Sequence, residues 1–442
     1  MISNLFGGLI EKTSYDQLPE DVIETAKLRL LDYFAVLAAG FEIQSYRPIA
    51  ALAVRNGEAS IFYDGRKTSL RDAALVNSFM AHSTWYEDGS RSTGGHPSSA
   101  LLPALLAIAE SRRKTGKDVI LSTVIGYEIF NRIGQTMYPS SVRRGFQPTA
   151  ILAPISAAAA CAKVLNLSAK QIANAMNIAA PLGAGLKSAF KVGEVQPLQV
   201  ARGCEAGLTA AILAEQNLSG YDGNIDSFLY AYGINENSAV SADGWGIDYK
   251  IRKTYVKLHG GCRGNHAPID AVRKIVLENH LKHEDIETIK ITIDTVTAAN
   301  EIHDPKNKEE AQFNIPFSIA VWLVKGNATI YQFSDENLHD PVIIACMGKV
   351  NIEIDPELDK LLPDKRGAKA EIVLRNGAVY RSFVDTPLGE PENPLTKREI
   401  VEKFAALAEK SLKKNTKTVI DCVFHLEQLK DISEFVQLFK AE

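Results

Sequence analysis

Residues 368–384 read AKAEIVLRNGAVYRSFV, two runs of alternating apolar and polar residues joined by Asn376-Gly377. Asn-Gly supplies the positive φ angles of a tight turn, and period-two alternation suits a strand with one buried face. The stretch therefore predicts a β-hairpin. Upstream, residues 286–296 (IETIKITIDTV) alternate in the same way and are rich in isoleucine and threonine, and residues 349–354 (KVNIEI) offer another strand. Helical segments at 268–278 and 315–324 lie among them. Strands and helices mixed in this order predict an α+β domain with a mainly antiparallel sheet.

Outward from that region the pattern changes to helices. In residues 21–39 the apolar positions Val22, Ile23, Ala26, Leu30, Phe34 and Leu37 recur at three- and four-residue steps, the mark of an amphipathic helix. Ser69 with Asp72 and Ser168 with Gln171 have the spacing of helix starts. Further helices are expected at 103–110, 119–133, 150–165 and 203–216, several of them rich in alanine, whose small side chain lets helices approach closely. Beyond Thr396 the chain is helical again, with Ile400, Phe404, Leu407 and Ala408 on one face. The expected architecture is mainly α: a large helical-bundle domain over residues 1–254, a smaller α+β domain over 255–390, and a segment over 391–442 that returns to the helical part. Clefts between two such domains are common places for small-molecule sites.

The composition narrows the function. A chain of 442 residues with 46% hydrophobic content has ample material for a large core. A formal net charge of −4 and the lack of a basic stripe argue against a nucleic-acid partner. The basic clusters at 112–114 and 410–417 read as solvated helix ends or loops. No run approaches the ~20 apolar residues of a membrane span. The N-terminus lacks a basic leader region, and five widely spaced cysteines show no CxxC pairing, so the expectation is a reducing, cytoplasmic setting.

Three polar, glycine-bearing loops could carry chemistry: residues 82–99 (HSTWYEDGSRSTGGHPSS), 143–149 (RRGFQPT) and 257–266 (KLHGGCRGNH). A glycine-rich loop entering a helix presents backbone N–H groups and a positive dipole end, which suits a carboxylate or phosphate. Each loop also has a plain reading. Glu87-Asp88 taken alone is a solvated turn, Lys257 a surface lysine, and His96 before Pro97 a buried polar contact at a helix start. His259 and His266 have neither a cysteine partner nor an HExxH pattern, so no metal site is expected. Gly183-Ala184-Gly185 follows no strand and does not make a nucleotide fingerprint.

At these loops the sequence resembles the MmgE/PrpD family. The matching stretches are HPSSALLPALLAIAE at 96–110, GYE at 126–128, GFQPT at 145–149, ARG at 201–203 with Gly207, residues 257–263, and GEPENPL at 389–395. They occur in family order over roughly residues 5–430. The resemblance implies a helical domain with an α+β lid, an active site between them, a homodimer, and catalysis without metal or organic cofactor. The implied chemistry is proton transfer next to a carboxylate of a small di- or tricarboxylate. Dehydration of the 2-methylcitrate type is the default, with iminodisuccinate-type epimerisation or decarboxylation as alternatives. A family member that binds a metabolite without turning it over stays open beside them.

Carried over by position, His96 is the prime acid/base, Lys257 a carboxylate holder or enediolate stabiliser, and Asp88 one of the loop's catalytic acids. Arg91, Gln147, Lys187, Gln196, Gln199, Arg202, His259 and Arg263 are the expected substrate-binding residues, and Lys191 could add charge. The chain also departs from the family. Trp85 stands where members commonly carry an aspartate, Gln147 where they carry a histidine, and Gln196 and Gln199 where they carry a lysine and a histidine. Glutamine can hydrogen-bond but cannot transfer a proton or supply charge, which favours a smaller or less charged substrate.

Overall fold

The computed structural model describes residues 1–191, 195–233, 239–362 and 364–439, with the side chains of residues 190 and 191 outside that description. The chain divides into two compact units: residues 1–83, 87–254 and 396–442 form the first, and residues 84–86 with 255–395 form the second.

The first unit is built on helices α1 (Glu20–Glu42), α2 (Leu70–His82), α3 (Pro97–Ser111), α4 (Gly116–Met137), α5 (Pro148–Val164), α6 (Ala169–Ala179) and α7 (Val195–Glu215). The capping signals act where the sequence puts them: Ser69 Oγ accepts from the Asp72 N–H at 3.1 Å, and Ser168 closes a capping box with Gln171. Helix α1 differs from the expected amphipathic pattern, because every residue from 29 to 40 is buried. A helix buried on all sides lies in an interior; here residues 33–40 are almost wholly apolar, while the charged Arg29 and Asp32 are enclosed with them. Helix α5 is buried along its whole length. Its alanine run meets α7 at glycines: a Cβ on Gly207 would stand 2.5 Å from the Pro154 carbonyl oxygen, and one on Gly203 2.9 Å from that of Ala150. Backbone therefore lies directly on backbone, which holds the N-terminal ends of α5 and α7 side by side.

The second unit carries helices α8 (His266–Glu278) and α9 (Ile315–Lys325) and strands β1 (Ile286–Ile293), β2 (Val350–Ile354), β3 (Ala368–Leu374) and β4 (Val379–Val384). The sheet order is β2-β1-β3-β4. The β3–β4 hairpin turns at Gly377, whose φ of 86° explains the glycine. β1 pairs antiparallel with β3 and parallel with β2, so the sheet is mostly antiparallel with one parallel pair. Ile289, Ile291 and Ile293 of β1 and Ala370 and Ile372 of β3 join Ile269, Val272 and Ile275 of α8 and Phe317 and Val321 of α9 in one apolar core.

The last long helix, α10 (Lys397–Leu412), belongs to the first unit and packs on α1. Ile400, Phe404, Leu407 and Ala408 are all buried. The same face carries Lys403, whose ammonium lies 2.6 Å from Asp32 Oδ1 with both side chains almost fully enclosed. Among the described residues, no helix is long and apolar enough to cross a membrane.

Candidate active site

In the first unit the ends of four helices meet at one histidine. His82 closes α2 and is fully buried. Its Nδ1 hydrogen-bonds Glu87 Oε1 and lies 3.2 Å from Ser99 Oγ in the first turn of α3. Its Nε2 faces the side-chain nitrogens of Gln196, in the first turn of α7, at 2.8 Å and of Gln147, the N-cap residue of α5, at 3.4 Å. Three of those four ends are N-termini, whose unpaired N–H groups and dipoles favour negative charge nearby.

His96 is the N-cap residue of α3, with Pro97 at the first helical position. Its backbone N–H donates to Thr149 Oγ1 at 3.1 Å, and its ring Nδ1 lies 2.7 Å from the Asp88 carbonyl oxygen. A carbonyl only accepts, so Nδ1 carries the proton and Nε2 of the neutral ring holds the lone pair. Glu87 Oε1 stands 3.9 Å from the same Nδ1, and the His82 and His96 ring centres are 5.7 Å apart. The His96 side chain is 15% exposed, whereas those of His82 and Glu87 are sealed. This geometry gives the cluster one oriented base in touch with solvent.

The Glu87-Asp88 pair is not the solvated turn its local sequence suggests, since both residues are fully buried. Desolvation of that kind is set by the helices packed around the loop, which no local pattern records. Asp88 Oδ2 accepts from Tyr127 Oη at 2.7 Å and Oδ1 from the Ser98 N–H at 3.1 Å, with Arg29 Nε 4.0 Å away. Its carboxyl thus points into the protein while its carbonyl holds His96. Burial pushes the Asp88 carboxyl up to about 6, against the pull of Arg29, Ser98 and Tyr127. A carboxyl whose folded pKa exceeds its unfolded value keeps its proton in the folded chain after the unfolded chain has lost it. Its contribution to stability is therefore full at low pH and declines as pH rises from about 4 to about 6. Relative to an Asp88→Asn variant, the wild type is expected to lose about 3 kcal/mol of unfolding free energy across that window. Urea unfolding of both proteins at several pH values measures this, and a difference that does not change with pH would contradict it.

The other expected residues of the first unit divide. Gln199 stays outside the His82 cluster, its amide bonded to the Leu186 backbone. That contact belongs to a pairing of two loops: the Gln147 N–H donates to the Gly185 carbonyl at 3.1 Å and the Lys187 N–H to that of Gly145 at 2.8 Å. Gly185 is required by the close approach, since a Cβ there would lie 2.5 Å from Ala150 Cβ. Lys187 is exposed and Arg91 half-buried. Arg202 is exposed and spends its charge on Glu205 at 2.9 Å. The side chain of Lys191 lies outside the described residues.

The remaining candidates lie in the second unit. Lys257 is 2% exposed and donates to the Trp85 carbonyl. Trp85 has a φ of 55°, a left-handed conformation that costs a residue with a Cβ on the order of 1 kcal/mol or more. Neighbouring bonds hold the strained residue in place: Gln312 Nε2 donates to the Thr84 carbonyl at 3.0 Å and Tyr86 Oη to that of Leu258 at 2.5 Å. The Trp85 ring packs edge-on against Phe313. His259 Nε2 meets Asp270 Oδ1 at 3.0 Å, and Arg263 Nε meets Glu390 Oε1 at 2.6 Å. Tyr255, Arg263, His266 and Glu390 line a cavity of about 10 Å³, room for roughly one water. Among the described residues, no group of three or more His, Cys, Asp or Glu side chains could hold a metal ion.

The sequence marks His96, Asp88, Gln147 and Gln196 as site residues, puts His82 and Glu87 in the chemistry-bearing loop 82–99 and Tyr127 in a family-like stretch without giving them a role, and passes over Arg29. A polar residue ending the apolar run 73–81, five positions before an acid, was the available signal for His82. Nothing local marks Arg29.

Comparison with known proteins adds a second line. The MmgE/PrpD N-terminal domain matches residues 6–228 and the MmgE/PrpD C-terminal domain residues 259–426. The chain is 26% identical over 459 residues to a cis-aconitate decarboxylase of Aspergillus terreus, covering 96% of this chain and 93% of that protein. It is 27% identical to a cis-aconitate decarboxylase-like protein, oryM, of Aspergillus oryzae, covering 96% and 94%. With the Homo sapiens cis-aconitate decarboxylase the identity is 28%, covering 84% and 79%.

Proposed function

Since the chain belongs to the MmgE/PrpD family, we propose that it is a lyase or isomerase that moves a proton next to a carboxylate of a small di- or tricarboxylate. The observation that carries this is His96, whose tautomer is set by the Asp88 carbonyl and whose ring is the solvent-touching base beside a cluster of helix N-termini. In this reading His96 Nε2 takes the proton from the carbon beside a carboxylate. The electron pair moves into that carboxylate as an enediolate. Its charge is met by helix N–H groups. Expulsion of hydroxide from the neighbouring carbon, protonated to water, gives a dehydratase, and return of a proton to the opposite face gives an epimerase. Decarboxylation of cis-aconitate, the substrate in the names of the curated relatives, runs the proton the other way: the C–CO₂ bond breaks, CO₂ leaves, its electron pair passes into a neighbouring carboxylate as an enediolate, and a protonated acid/base group delivers a proton to carbon.

A second reading, binding without turnover, draws on Gln147 and Gln196. Neither can transfer a proton, and both stand against His82. Proton NMR in D₂O on 2-methylcitrate, cis-aconitate and iminodisuccinate separates the two. The proposed reading expects turnover, or deuterium entering a carbon beside a carboxylate, with at least one of them. Binding with neither turnover nor exchange would favour the second reading.

A further inference from the structure

The structure assigns to Gln147 and Gln196 the recognition of a hydrogen-bond-donating group, a hydroxyl or an amine, on the ligand of the first unit. Both side chains are 1% exposed. Both turn their amide nitrogens toward one atom, His82 Nε2. The His82 proton is on Nδ1, where Glu87 accepts it, so Nε2 is an acceptor whose single lone pair takes the Gln196 amide at 2.8 Å, with the Gln147 amide nitrogen beside it at 3.4 Å. That polarity fixes where the amide oxygens go. Each is turned away from His82, and each is enclosed with no hydrogen-bond partner among the described residues.

Buried polar atoms in folded proteins are almost always satisfied, so two orphaned acceptors on neighbouring side chains mark a place for a donor. The Gln147 oxygen borders Gly185: a Cβ there would come within 3.3 Å of it, 2.8 Å of the Gln199 amide oxygen and 2.5 Å of Ala150 Cβ. A carboxylate placed there would face two carbonyl dipoles and could donate nothing to either. A hydroxyl or an ammonium satisfies an amide oxygen directly. The inference rests on the reading of the cluster as a carboxylate-processing site and adds what the ligand carries besides its carboxylates. The ligand class is a 2-hydroxy or 2-amino dicarboxylate. Within the proposed chemistry this favours loss of water or inversion at a substituted carbon over decarboxylation of an unsaturated triacid.

The test is calorimetric binding to the full chain of four probes: malate, aspartate, succinate and cis-aconitate. Malate or aspartate is expected to bind at least about tenfold more tightly than succinate and cis-aconitate, since a site built around a donor leaves its acceptors unpaired when the donor is missing. Gln147→Leu and Gln196→Leu should each reduce that preference to about threefold or less, mainly by weakening malate or aspartate. Succinate or cis-aconitate binding as tightly as the donor-bearing probes, or no binding by any of the four, would overturn the inference. So would a preference that survives in both variants. The wild-type comparison alone decides if a variant does not fold. Exchange in D₂O, measured separately, keeps the two proposals apart. A donor preference without exchange defeats the proton-transfer reading alone, and exchange without a donor preference defeats this one alone.

Discussion

Replacing His96 by alanine is expected to reduce turnover, or deuterium exchange beside the carboxylate, by about 10²–10⁴-fold, the usual contribution of a positioned acid/base group. The loss should come with little change in stability. His96 is partly exposed, and its N-cap bond to Thr149 is made by its backbone, which alanine keeps. His96→Gln sharpens the test: the amide can still donate a hydrogen bond toward the Asp88 carbonyl but cannot accept a proton at neutral pH. It should therefore be as inactive as the alanine variant. If the base acts as proposed, the wild-type rate should also fall as pH drops and the ring gains its second proton. Activity of either variant within about tenfold of wild type would remove His96 from the acid/base role.

The largest effect on folding is expected at Lys403. Its ammonium and the Asp32 carboxylate are sealed between α10 and α1. Burial pushes the Asp32 carboxyl up despite Lys403 and Arg29, so the enclosure opposes ionisation more strongly than the two cations favour it. Lys403→Met leaves that carboxyl without its nearest cation and should destabilise the chain by about 3–5 kcal/mol in denaturant unfolding. A combined Asp32→Asn, Lys403→Met variant removes the orphaned charge and should recover much of the loss, because a buried pair replaced by neutral groups of similar size is often close to neutral in stability. A single variant as stable as wild type would show that the carboxyl finds water or another partner. Equal destabilisation of the single and double variants would show that the cost lies in packing.

Most of the secondary structure was readable because its causes are local. The Asn376-Gly377 turn, the Ser69 and Ser168 caps and the strand alternation at 286–293 each depend on residues within a few positions of one another. The ends of helices were read less well. Helix α7 begins at Val195, ahead of the alanine-rich stretch that marks it, and α3 begins at Pro97, immediately after His96. Those early starts matter, since they bring Gln196 and His96 to helix N-termini.

The sequence by itself determined the helical and α+β division, the hairpin, and the loops in which His96, Asp88 and Gln147 lie. Only the tertiary structure decided that Glu87 and Asp88 are buried and that His82 is the atom on which the glutamines converge. His82 and Gln196 are separated by 114 positions. What joins them is the backbone contact of α5 and α7 at Gly203 and Gly207, together with the burial of α2 against its neighbours. Periodicity records which face of a helix is buried, but which helix ends then meet is settled by close packing of whole elements. The polarity of the site follows from that meeting: one carboxylate fixes the proton on one side of His82, and the two amides are oriented by what remains.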